Sequence, residues 1–224
     1  MSHISYTLPC HKREADLMAA LPSVIEAAGM TSGVDIVVVD YGSTLSCRGA
    51  ITTRGGVYVT TVAVAADHFH MAHARNVGIR TAKGDIVVAF LADQMVSPPF
   101  FADVRAALRP GTFLKWQETF AFWREDIIAA GGFDERFEFY GPEGKELADR
   151  LKRCGLKERP FPVSCGVSQL RTPNAEKVKN YRLKLSKQAM HERGMAIWRE
   201  NQAKGLLVAN EGHEWGAIEV PCLS

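Results

Sequence analysis

The stretch "HARNVGIRTAKGDIVVAFLADQ", His73 to Gln94, decides the fold class. Its first part, read with the two residues before it as "MAHARNVGIRTAKG", predicts a helix that stops at Gly84. "DIVVAFLAD" predicts a strand buried on both faces that delivers one carboxylate, Asp93, at its end. Working upstream, "VYVTTVAV" and the β-branched run "VDIVVVDYGS" predict two more strands. "ISYTL" predicts a first strand, ended by Pro9. Between the first two strands, "READLMAALPSVIEAAG" carries Ala15, Met18, Ala19, Val24, Ile25 and Ala28 at helical spacing and closes at Gly29, with Pro22 predicting a kink or a late start. Strands alternating with helices in units of about 30 residues predict an α/β fold with a mostly parallel sheet.

Downstream, "FFADVRAAL" predicts a helix between Pro98-Pro99 and Pro110-Gly111, and the aromatic "TFLKWQETFAFWR" predicts strand. A short helix leads into "GGFDERF". "GKELADRLKRCG" is amphipathic, with Leu147, Ala148 and Leu151 on one side. "PFPVSCGVSQL" predicts an edge strand, since proline sits badly in central ones. A basic helix is expected from Asn174 to about Lys204, although Gly194 inside it costs about 1 kcal/mol relative to alanine.

With 224 residues, 46% hydrophobic and 23% charged, the chain can bury one sizeable core, expected over 1–173, with an extension over 174–224. The longest apolar run, Ile86 to Ala92, falls far short of the roughly 18 residues that cross a bilayer. The start "MSHISYTLPCHKREAD" has no secretory h-region. Five cysteines without a C-x-x-C pair argue against a disulfide framework and a zinc knuckle, so a reducing cytoplasm is expected. Net charge is +2, but residues 174–204 carry eight Lys/Arg against three Glu, so an anionic partner would meet that segment.

Ligands of open α/β sheets bind beyond the carboxyl ends of the strands. Three polar clusters fall there: Pro9 to Arg13, Asp40 to Thr44, and Asp93-Gln94. Asp40 is suited to accept from a base or ribose, and Gly42 and Ser43 to admit a backbone close to a ligand.

Four segments, "ISYTLPCHKRE", "DIVVVDYGST", "HARNVGIRTAKGDIVVAFLADQ" and "GGFDERFEFYGPEGKELADRL", resemble, in order and approximate spacing, the GT-A fold glycosyltransferases of the family 2 type. The last also looks like the C-terminal motif of galactosyltransferases. The resemblance covers roughly residues 3–155. It implies a Rossmann-like GT-A fold and transfer of a sugar from a nucleotide-diphosphate donor, most simply a UDP-sugar, to a hydroxyl of a glycan or lipid-linked acceptor, with inversion. Carried over by position, Pro9, Asp40, Gly42, Ser43, Arg75, Asn76 and Asp93 would line the donor site. Asp93 would be the last Asp of a D-x-D motif holding Mn²⁺ or Mg²⁺, whose charge stabilises the leaving diphosphate. Glu143 would be the base.

The departures are specific. D-x-D is written Leu91-Ala92-Asp93, and the usual Glu-Asp is written Glu143-Gly144. Where many relatives supply a late metal-binding His, this chain has Ser168 and Gln169. These losses motivate an alternative: a non-catalytic relative that binds nucleotide or glycan as a partner or regulatory subunit. His68, His70 and His73 are read as polar loop and helix-start residues rather than a metal cluster, and Trp116, Phe120, Phe122 and Trp123 as core. The basic segment is read first as a solvated helix packed through Val178, Tyr181, Leu185 and Trp198. The second reading is a peripheral membrane contact through Leu183, Met190 and Ile197. Nucleic acid comes last, for want of a reader motif.

Overall fold

The computed structural model describes residues 1–43, 57–170 and 178–218. Three parallel strands open the sheet: β1 (Ile4–Cys10), β2 (Val34–Tyr41) and β3 (Tyr58–Val64). With β4 (Ile86–Ala89), β6 (Thr112–Trp116), β7 (Thr119–Trp123) and β8 (Lys157–Pro160) they form one sheet of order β3-β2-β1-β4-β7-β6-β8, in which β7 runs antiparallel to both its neighbours. A two-stranded sheet pairs β5 (Gln94–Met95) with β9 (Ser168–Gln169). The helices are α1 (Glu14–Gly29), α2 (Met71–Thr81), α3 (Phe100–Ala107), α4 (Arg124–Ala129), α5 (Glu143–Arg153) and α6 (Lys187–Ala203).

Side-chain alternation sorts the core into two layers. Tyr6, Ile36 and Val88 pack with Leu17, Leu21, Phe100 and Val104 of α1 and α3. Val37 and Val39 pack on Ala74 and Val77 of α2, while Val87 and Ala89 join Phe120, Phe122 and Leu147 on the same side. A continuous apolar run such as "DIVVV" is what a strand covered on both faces requires.

Several expected boundaries move. β1 continues through Pro9 to Cys10. Thr7 turns its polar groups toward β4, its carbonyl accepting from Phe90 N at 2.9 Å, and two residues on Pro9 faces the same way with no N–H to give. The β1–β4 ladder therefore ends, with Thr7 opposite Ala89 as its last pair. The strand expected to run to Asp93 stops at Ala89, and Phe90 to Asp93 turn across the sheet edge. α1 runs through Pro22 without a late start. "TFLKWQETFAFWR" is a hairpin whose two-residue turn, Gln117-Glu118, has Gln117 at φ +50°. "PFPVSCGVSQL" becomes a 3-10 turn and the short β9 instead of a long edge strand. Among the described residues the basic segment is helical continuously only from Lys187, capped by Ser186.

Residues 178–218 pack on the domain. Met190 is fully buried against Phe139 and Tyr181, with Leu183 and Ile197 beside it, so the stripe expected to meet a membrane faces protein. No helix among the described residues is long and apolar enough to cross a membrane. Gly194 admits close packing: a Cβ there would lie 2.4 Å from Pro142 Cδ.

Candidate active site

Beyond the carboxyl ends of β1 and β4 lies a cavity of about 200 Å³. Pro9, His11 and Arg13 wall it from the end of β1, Leu91 to Gln94 from the end of β4, and Arg75 from α2. Glu118 enters from the β6–β7 turn and Tyr140, Gly141 and Glu143 from the start of α5. Asn180 and Tyr181 close it, held by the hydrogen bond from Phe69 N to Asn180 O at 2.8 Å. Sites of this kind, concave with a few converging polar groups, are where ligands bind.

Asp93 is buried, and its carboxylate is already engaged. Arg13 Nη2 donates to Oδ2 at 3.1 Å, and Gln169 Nε2 approaches Oδ1 at 3.1 Å and Oδ2 at 3.0 Å. The β5–β9 pairing sets Gln169 opposite Gln94, which places its amide against the Asp93 side chain. Leu91 brings no second carboxylate. Among the described residues no three His, Cys, Asp or Glu side chains form a cluster that could hold a metal ion by themselves. Charge at Asp93 is met by the Arg13 guanidinium, so Asp93 is the carboxylate here that a divalent cation bridging to a donor's phosphates would take from Arg13.

Arg75 is 1% exposed, yet Nε, Nη1 and Nη2 have no hydrogen-bond partner among the described residues. Its guanidinium lies 4.8 Å from the Phe133 ring centroid. A buried guanidinium has five donors and no acceptor of its own, so an anion entering the cavity would find them directed and desolvated.

Glu143 is 7% exposed, and its Oε2 has no partner. Burial, and then the neighbouring charge of Glu118, push its carboxyl up to about 8, against the opposing pull of Arg75 and of backbone hydrogen bonds at Glu143 and Gly141. His11 stacks on Phe69 at 5.3 Å and donates through Nδ1 to the Tyr41 carbonyl. Burial holds the ring below its ordinary value, leaving a neutral imidazole whose Nε2 is unpartnered.

The other expected site residues lie elsewhere. Asp40 sits at the end of β2 opposite Cys10, and Ser43 N donates to its Oδ1 at 3.3 Å; neither lines the cavity. Gly42, at φ +62°, admits a backbone, but that of Ala66, whose carbonyl oxygen would lie 1.8 Å from a Cβ. Thr44 lies outside the described residues. Asn76 is spent on the fold: Nδ2 donates to Phe133 O and Glu135 Oε1, both at 2.8 Å, and Oδ1 accepts from Phe133 N at 2.8 Å. It clamps "GGFDER", whose Gly131 and Gly132 take φ +78° and +70°. Arg150 braces the same loop from below, donating to the carbonyls of Ala130 and Gly132 while paired with buried Glu146. His73 is occupied by the Tyr41 hydroxyl and the Ala217 carbonyl, both at 2.9 Å. The sequence reading passed over Glu118. Its only signal is a lone acid at the tip of a turn between two aromatic strands.

This architecture is that of the GT-A glycosyltransferase fold, and one segment of the chain is similar to a galactosyltransferase family. The family described as the N-terminal domain of galactosyltransferase matches residues 118–181, which begin at Glu118 and end at Tyr181, both on the cavity wall. Among solved structures, the chain is similar to a mannosyltransferase from Pyrobaculum calidifontis in complex with GDP-Man and Mn²⁺: TM-score 0.64, 20% identity, covering 73% of this chain and 55% of that one. It is also similar to S. aureus TarS residues 1–349, with TM-score 0.57 and 14% identity, covering 70% of this chain and 57% of that one. The chain thus spans little more than half of either. No curated protein sequence matches it significantly.

Proposed function

We propose that the protein transfers a sugar from a nucleotide-diphosphate donor to an acceptor hydroxyl, with inversion. The observation that carries this reading is Arg75, a buried guanidinium without an acceptor, on the wall of a cavity that also holds Glu143. A GT-A relative solved with a nucleotide sugar supports the donor class. In this reading Arg75 supplies positive charge that a leaving diphosphate requires, from a fixed, buried position. The acceptor oxygen forms a bond to the anomeric carbon as the carbon–phosphate-oxygen bond breaks and its electron pair leaves with the diphosphate. A carboxylate in the cavity takes the acceptor's proton; the sequence resemblance offers Glu143 for that role, and Glu118 lines the same cavity. A divalent cation arriving with the donor would be held by Asp93 and the diphosphate and would add to the positive charge that Arg75 supplies.

Calorimetry with UDP and GDP tests the reading. Binding by the wild-type protein that Arg75→Met weakens at least tenfold is expected. The reading fails if neither nucleotide binds, or if Arg75→Met binds as tightly as wild type.

A further inference from the structure

The Glu143-Gly144 pair looks like an acid pair that has lost a member. A Cβ built on Gly144 would lie 1.9 Å from Glu118 Oε2 and 2.9 Å from its Cδ. The space in which a side chain at 144 would begin is thus filled by a carboxylate from the β6–β7 turn. Glu118 Oε2 and Glu143 Oε2 are both buried without a hydrogen-bond partner, and both line the cavity beside the unpartnered Arg75. The Glu118 charge lies close enough to be, after burial, the second cause that raises the Glu143 carboxyl, so the two acids act on each other across the cavity.

Resting on the transferase reading above, we propose that Glu118 is the second carboxylate of this site, relocated from the helix to the hairpin, and that it is the group that removes the acceptor's proton. Glu143 is its partner. The elevated titration of Glu143 supports this division, because a carboxyl that keeps its proton near neutral pH is poorly suited to accept another. In the step, the acceptor O–H proton passes to Glu118 Oε2 while the acceptor oxygen bonds to the anomeric carbon and the diphosphate leaves with the electron pair. Atoms and charge balance without a co-reactant.

Relocation makes a prediction that a packing role does not. Gly144→Asp alone displaces the Glu118 carboxylate and sets a second one beside it, and is expected to lower turnover. In a Glu118→Ala background the same substitution has room and returns a carboxylate to the pocket. Hydrolysis of a panel of UDP- and GDP-sugars, followed by nucleotide release, is the assay, with UDP and GDP calorimetry and thermal melting on every variant. Glu118→Gln is expected to lower turnover at least 100-fold, in the range typical for loss of a general base, with nucleotide affinity within about twofold of wild type. Glu118→Ala/Gly144→Asp is expected to recover at least tenfold over Glu118→Ala. Turnover of Glu118→Gln within threefold of wild type overturns the assignment while leaving the transferase reading intact. So does a folded double variant that recovers nothing. Absence of nucleotide binding by wild type sinks the transferase reading, and the assignment with it.

Discussion

Glu143→Gln should change stability in a pH-dependent way. The folded protein holds the Glu143 carboxyl at about 8 against an ordinary value of 4.5. Between those values the folded state keeps a proton that the unfolded chain releases, so this group lowers stability progressively as pH rises from about 4.5 to 8, and the loss then levels off. Each unit of separation corresponds to 1.36 kcal/mol, which sets a penalty on the order of 3 kcal/mol at pH 7 and somewhat more at pH 9. Glutamine keeps the shape and removes the ionisation. Glu143→Gln should thus lie within about 1 kcal/mol of neutral at pH 5 and be stabilising by roughly 4 kcal/mol at pH 8. For a chain of this size that is a rise in Tm on the order of 8–16 °C. Urea denaturation of both proteins at pH 5, 6.5 and 8, with m-values compared to confirm equal exposure, measures the difference directly. A ΔΔG independent of pH would refute the argument, since it would mean that Glu143 is ionised in the folded state as readily as in the unfolded one.

Arg75→Met should cost little or no stability by the same urea assay, because the guanidinium makes no hydrogen bond that the substitution breaks; a loss above about 2 kcal/mol would show that it braces the fold. Arg13→Gln should expose Asp93 to cations, so that Mn²⁺ titration followed by calorimetry shows tighter binding to the variant than to wild type; equal affinity would mean that Arg13 does not occupy the cation's place. Asn76→Ala should destabilise by roughly 3 kcal/mol, because it leaves the Phe133 N–H and other buried groups of the "GGFDER" loop unpaired. A thermal melt within 2 °C of wild type would contradict that role. Gly194→Ala should cost about 1–3 kcal/mol through overpacking against Pro142, despite alanine's better helix propensity, and a stabilised variant would refute the contact.

The parallel half of the sheet was legible because "VDIVVVDY" and "DIVVAF" are apolar runs that only a doubly covered strand explains. Strand ends were less so. Where β4 stops depends on the missing N–H of Pro9, which lies some eighty residues away in sequence and becomes a neighbour only through the sheet. The heptad-spaced Leu183, Met190 and Ile197 gave a correct apolar stripe but no indication of what covers it, and Phe139 and Tyr181 do so through tertiary contacts. At the site, Asp93, read from the end of its strand, and Arg75 and Glu143, read from the family resemblance, line one cavity. Asn76, one residue from Arg75, points instead into the loop it clamps, since successive residues on a helix face different directions. Glu118 was illegible because its significance is spatial. Only the packing of the hairpin turn over Gly144 shows that the apparent gap in the Glu143-Gly144 pair is filled.

A crystal structure of the protein with a nucleotide diphosphate tests the central claim most directly. The account predicts phosphate oxygens within hydrogen-bond distance of Arg75 in the cavity beside Glu118 and Glu143. A nucleotide bound away from that cavity, or an Arg75 guanidinium that remains without an anionic partner in the complex, would contradict it.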